Sequence, residues 1–198
     1  HLLQYQTIFM ELKKFKESGI LGNIQYIYSN RLSLGKVRSE EDVIWSFAPH
    51  DISMILSITG CEPTYIKAES SNILRKELAD TAILHLRFPC GLKAHISVSW
   101  LHPIKEQKLV LIGDKGMAIF DDCKPWSKKL ALYRHIVNPS QPEKILNKSD
   151  VEYIQVQETE PLRNECQHFL DVLDNLSKPI TDGKEGLRVL NVLTAASK

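Results

Sequence analysis

Apolar positions along the chain recur at two spacings, and the alternation between them divides it into elements. From Tyr5 to Ser18, Ile8, Phe9, Leu12 and Phe15 fall at three- and four-residue intervals with Lys13, Lys14 and Glu17 outside the stripe, which predicts a helix ended by Gly19 and Gly22. From Ile24 to Leu34 the period becomes two, with Ile24, Tyr26 and Tyr28 on one face and Gln25, Ile27 and Ser29 on the other, the pattern of a strand. The polar stretch Gly35 to Asp42 reads as a loop, and a second helix follows it as far as Gly60. Strand patterns then dominate. Asp80 to Phe88 and Leu92 to Trp100 flank Pro89-Cys90-Gly91, a hairpin connection. Centring the turn on Cys90 pairs Leu84 with Ile96, Leu86 with Ala94 and Arg87 with Lys93, and puts Ala82, Leu84, Leu86, Phe88, Leu92, Ala94, Ile96, Val98 and Trp100 on one face. A one-residue slip would turn one strand's apolar set to the wrong side. Further strands are expected at Lys108 to Ile112, Met117 to Phe120, Lys129 to Arg134 and Val151 to Val156, with a polar loop from Asn138 to Ser149. Helical spacing returns at Pro161 to Leu176, through Cys166, Phe169, Leu170 and Leu173, and at Gly183 to Ala196. Helices at both ends around a strand meander predict an α+β domain: a mostly antiparallel open sheet with helices packed on one face, the other face meeting water or a second copy.

The chain's organising stretch is Trp45 to Met54, where a titratable imidazole, His50, stands at the start of a helix. Ser46 can cap that helix by accepting a backbone N–H bond, and Pro49 suits its first turn, so the helix is expected to begin just before His50. Ile52, Ile55, Leu56 and Thr59 then make a core face, while His50, Ser53, Met54 and Ser57 make one that can line a cleft. Backbone dipoles at a helix N-terminus disfavour positive charge, biasing the imidazole toward the neutral form a general base needs, with Asp51 opposing that bias. A hydrogen-bonded structural histidine would fit the local pattern as well.

Composition narrows the possibilities. The 198 residues suit one domain, and 25 basic against 24 acidic residues give a net charge of +1 with no run of like charges, so neither a nucleic-acid nor a membrane-surface role has an electrostatic footprint. No apolar run approaches the roughly 20 residues that cross a bilayer, and a cytoplasmic protein is expected. Cys61, Cys90, Cys123 and Cys166 are irregularly spaced without a Cys-x-x-Cys pair, and read as free thiols. The chain opens on His1-Leu2-Leu3 without an initiator methionine, which suggests a piece of a longer polypeptide.

Little else carries chemistry. No Gly-x-Gly-x-x-Gly occurs, and Gly113-Asp114-Lys115-Gly116 reads as a hairpin turn rather than a phosphate loop. His85 and His95 become cross-strand neighbours in the hairpin register, but two imidazoles without a third ligand at diagnostic spacing are better read as polar sheet-face residues than as a metal site. Arg31, Lys36, Lys105 and Arg163 can grip anionic groups.

Four segments together resemble a known family: Gly22 to Arg31, Trp45 to Met54, Lys93 to Pro103, and Glu160 to Glu165 are similar to the carboxy-terminal half of Gfo/Idh/MocA oxidoreductases, most of all to bacterial nucleotide-sugar 3-dehydrogenases. The resemblance covers essentially the whole chain. It implies a substrate-binding and oligomerisation domain over residues 1 to 198, with the N-terminal Rossmann domain that binds NAD or NADP absent from this chain. It implies that His50 faces a sugar carbinol and the nicotinamide, and that the substrate is a small sugar or nucleotide sugar. Tyr5, Asn30, Arg31, Lys105 and Arg163 are the substrate-side candidates, and a homodimer or homotetramer through the open sheet face is expected. Ser46 stands where many members carry an aspartate, and the family's Glu-Lys-Pro lysine would lie upstream of His1. The alternatives are a non-catalytic assembly module and a carbohydrate-binding module.

Overall fold

The computed structural model describes residues 1–35, 37–134 and 150–197; the predicted loop from Asn138 to Ser149 and the candidate Lys36 lie outside them. A 3-10 turn, Leu2–Tyr5, leads into α1 (Thr7–Glu17), β1 (Ile24–Leu32) and α2 (Val43–Thr59). The strands β2 (Tyr65–Ser71), β3 (Thr81–Arg87), β4 (Lys93–Ser99), β5 (Glu106–Gly113), β6 (Gly116–Asp121), β7 (Leu130–Arg134) and β8 (Glu152–Tyr153) follow, and α3 (Pro161–Leu173) and α4 (Gly183–Ala196) close the chain. The strands make one sheet in the order β2-β3-β4-β1-β5-β6-β7-β8, antiparallel throughout except where β1 runs parallel to β4. The α+β architecture is therefore as the pattern predicts. So is the hairpin register, with Leu84 opposite Ile96, Leu86 opposite Ala94 and Arg87 opposite Lys93.

One face of the sheet is covered. Ile27, Leu84, Leu86, Ile96, Val98, Leu109, Leu111 and Phe120 join Ile8, Phe9 and Leu12 of α1, Ile52, Ile55 and Leu56 of α2, and Val189, Val192 and Leu193 of α4 in a single core. The other face carries Tyr26, Tyr28, His85 and His95: the His95 ring stacks on Tyr28 with centroids 5.4 Å apart and bonds the Tyr26 hydroxyl. Partial burial, and then the neighbouring His85, hold the His95 imidazole below its usual value. The β5–β6 connection is the hairpin turn expected at Asp114-Lys115, docked on the segment ahead of β1 through Asp114, whose carboxylate accepts from the Asn23 backbone N–H at 3.0 Å. Gly113 is required there, since a Cβ would lie 2.0 Å from the Leu21 carbonyl oxygen.

Two expectations are corrected. The second helix does not begin beside His50. Asp42, in extended conformation, accepts from the Trp45 N–H at 2.9 Å and caps a helix that starts at Val43, leaving Pro49 inside it and Ser46 within its first turn. The apolar stripe of α3 is not in the core either. No residue of that helix is buried, and it rests mainly on the 3-10 turn. Smaller differences are at the ends: the first helix splits into the 3-10 turn and α1, and the strand expected to Val156 is paired only at Glu152–Tyr153.

Candidate functional site

Because α2 starts at Val43, His50 lies two turns inside the helix, beyond the reach of the N-terminal dipole, which fades within the first turn. The imidazole is nevertheless exposed and biased toward its neutral form for other reasons. Surrounding protein partly desolvates it and the Arg31 guanidinium repels its proton, with Asp51 opposing. The polar face assigned to this helix is mostly not a cleft: Ser53 and Met54 are buried, Ser53 bonding the Gln4 amide through both its hydroxyl (2.9 Å) and its carbonyl (3.0 Å). The hollows walled by Val37 to Glu41, by Tyr26, Tyr65 and Ala94, and by Gln157 to Glu160 and Asn164 do not include His50, which is exposed.

Beneath it lies a group that sequence reasoning missed. Asp51, next to His50 and 1% exposed, receives Arg31 Nε at 2.5 Å and the Ser29 hydroxyl, both from the covered face of β1. The signal available in the sequence was the two-residue spacing of Ile27, Ser29 and Arg31, which places two polar groups on a core-facing edge.

The substrate-side candidates separate. Arg31 is 9% exposed and its fork is committed to Asp51, so it is not a free grip for a ligand. Asn30, the next residue on a strand, faces the other way and donates to Glu106 at 2.9 Å. Tyr5 is buried, its hydroxyl 2.9 Å from Thr181 Oγ1 and its ring beside His168. Lys105 is exposed just before β5. Arg163 is exposed at the start of α3, over an open hollow of about 540 Å³ walled by Gln157 to Glu160 and Asn164. Asn164 donates to the Tyr5 carbonyl at 3.1 Å, and the His1 amino group lies 3.7 Å from Glu165. The 3-10 turn thus contacts both α2, the helix that carries His50, and α3, whose first turn carries Arg163.

His85 and His95 face each other across β3 and β4 with ring centroids 6.5 Å apart; no cluster of three metal-ligating side chains occurs among the described residues. The four cysteines are free. No helix among the described residues is long and apolar enough to cross a membrane.

The decisive comparison is with the GFO/IDH/MocA C-terminal domain, whose family model matches residues 9–119, more than half the chain. The chain belongs to that family. No curated protein matches it by sequence. Among solved structures, UDP-N-acetylglucosamine 3-dehydrogenase GnnA from Acidithiobacillus ferrooxidans is similar at 20% identity and a TM-score of 0.80, over 100% of this chain and 59% of that one. The WlbA dehydrogenase from Bordetella pertussis, solved with NADH and UDP-GlcNAcA, is similar at 21% identity and a TM-score of 0.71, over 100% and 58%. Aldose-aldose oxidoreductase from Caulobacter crescentus, complexed with glycerol, gives 17% and 0.79, over 98% and 58%. These likenesses fix the fold, and the chain of this GFO/IDH/MocA C-terminal domain spans about three fifths of each structure's length.

Proposed function

We propose that this chain is the substrate-binding and assembly domain of an NAD(P)-dependent dehydrogenase acting on a sugar or nucleotide sugar, with His50 as its general base. The observation that carries the reading is an exposed imidazole on the helix that lies against the centre of the sheet, its pKa held below the usual value by partial burial and by Arg31. Family membership supports it, as do the substrates named for GnnA and WlbA. NAD or NADP would be held by a Rossmann domain preceding these residues, consistent with the chain spanning about three fifths of the similar structures. The cofactor's chemistry is hydride acceptance at the nicotinamide. This chain's part is to receive the proton of the sugar hydroxyl on the neutral His50 ring and to orient the substrate. Arg163 and Lys105, both exposed, would meet a diphosphate or carboxylate; Arg163 is favoured because the next residue, Asn164, bonds the Tyr5 carbonyl of the 3-10 turn. Tyr5 and Asn30 would act by shaping the wall rather than by direct grip.

The test uses the protein with its preceding domain. Reduced nicotinamide formed from UDP-linked amino sugars or their uronic acids is followed by absorbance, and His50→Ala is expected to lower kcat by about 10²- to 10⁴-fold with little change in substrate Kd. Unchanged turnover removes His50 from the mechanism. The 198-residue chain alone is expected to show no tight NAD binding by calorimetry.

An assembly role is favoured by the open sheet face, where Tyr26, Tyr28, His85 and His95 surround partly exposed apolar positions such as Ile83. We place the contact of a homodimer or homotetramer there. Sedimentation of wild type against Ile83→Lys reads this directly: loss of the oligomer is expected, and an unaffected oligomer puts the interface elsewhere.

A further inference from the structure

The Asp51–Arg31 pair is hard to account for as a stabilising device. Removing two charges from water is expensive, and well-packed apolar residues of similar volume do as well or better. Yet the pair is closely built. Arg31 Nε approaches Asp51 Oδ2 at 2.5 Å and Nη2 approaches Oδ1 at 3.5 Å, while the Ser29 hydroxyl sits between Oδ1 and the Lys108 carbonyl oxygen, 3.1 Å from the latter. The space left beside it, walled by Leu3, Met54, Gln107, Leu109 and Phe120, is about 10 Å³, room for about one water. The other charges around that space are engaged elsewhere, Lys108 with Glu106 and Asp121, and Asp122 with Lys129.

What the pair does do is geometric. Asp51 is the residue after His50, and its carboxylate ties that turn of α2 to β1 at two points. No residue in this turn has a capping or dipole device to fix it, and Pro49 removes the backbone hydrogen bond that would run from position 49 to the Trp45 carbonyl. We propose that Asp51, Arg31 and Ser29 are positioning residues for His50, holding the imidazole at a fixed place on the surface beside a fixed positive charge. The proposal rests on the reading of His50 as the base, but its test does not need turnover. The charges bearing on His50 that differ among the variants are Arg31 from β1 and Asp51 from α2.

The experiment is a pH titration of the His50 ring by NMR in the 198-residue chain. In Arg31→Met the ring is expected to titrate higher than in wild type, because the repelling charge is gone and Asp51 is left unopposed. In Asp51→Asn it is expected to titrate lower, and Arg31→Lys, which keeps the charge, is expected to stay near wild type. Should the single variants fail to fold, the double variant Arg31→Met/Asp51→Asn carries no unpaired charge and is expected to titrate above wild type, since Arg31 is the stronger of the two influences. A His50 ring that titrates alike in every folded variant overturns the proposal, because a pair that does not bear on His50 would lower stability and leave the ring unmoved. In the protein carrying its preceding domain, the double variant is expected to lose kcat with KM nearly constant. Absence of turnover in the wild type would refute the dehydrogenase reading and leave the titration result standing.

Discussion

At the level of single residues, the charged group most deeply committed to the fold is the carboxylate of Asp51, 1% exposed. Asp51 is buried and bonded from two sides, so Asp51→Ala would leave the Arg31 guanidinium buried and uncompensated. A loss of about 3–5 kcal/mol in unfolding free energy is expected by urea titration. The double variant Arg31→Met/Asp51→Asn is expected to lose much less, because no charge is stranded. Equal losses in the two would mean that the pair acts by packing and not by charge. His50 was singled out in the sequence as a titratable ring at an expected helix start, whereas it lies exposed two turns inside α2. Its supporting pair was not legible there, because Arg31 and Asp51 lie 20 residues apart and meet only once α2 has settled on β1. Tyr5 and Arg31 illustrate the same limit from the other side: polar reach made them candidates, and burial committed both to partners within the protein.

At the level of elements, the pattern located helices well and their boundaries less well. The position of Pro49 pointed to Ser46 as the cap of α2, with Asp42 read as the end of a loop; the extended backbone at Asp42 and its bond to the Trp45 N–H make Asp42 the cap. Proline in a helix interior is tolerated here because the turn is held by packing around it, with Ala48 and Ile52 fully buried. Asp42→Ala is accordingly expected to cost about 1 kcal/mol by thermal or chemical unfolding, whereas Ser46→Ala should be nearly neutral. The reverse order would restore the shorter helix. For α3, periodicity showed an apolar stripe but not whether anything covers it. Phe169 is 62% exposed in that stripe, whereas Ile52 is fully buried in α2. Phe169→Ser should therefore change stability by no more than about 0.5 kcal/mol in this chain, against about 2–5 kcal/mol for Ile52→Ala. A large loss in Phe169→Ser would mean that the helix is packed against something after all.

At the level of the whole molecule, local pairing was readable and long-range pairing was not. The β3–β4 register follows from two apolar sets joined by a short turn, whereas the parallel contact of β1 with β4 depends on a crossover through α2, β2 and β3 that no local pattern announces. That contact also puts Tyr28 beside His95, and so shapes a global property, the dependence of stability on pH. His50 and His95 both have folded-state values below the ordinary 6.5, the first through partial burial and Arg31, the second through partial burial and His85. Each ring binds its proton more weakly in the folded chain than in the unfolded one. As pH falls through 6.5 the unfolded chain takes up the extra protons, and stability drops until the folded-state values are passed. Well above 6.5 neither ring contributes a slope. Glu106, held below 4.5 mainly by the Asn30 amide, adds a further loss only at lower pH, so the interval from about pH 7 to pH 5 isolates the imidazoles. The urea midpoint is expected to decrease across that interval in wild type, and to decrease less in His95→Gln and in His50→Gln, where one titrating ring has been replaced by a neutral amide. A midpoint that stays level or rises on acidification would mean that neither ring is held neutral by the fold, and would remove the electrostatic basis for His50 as a base along with it.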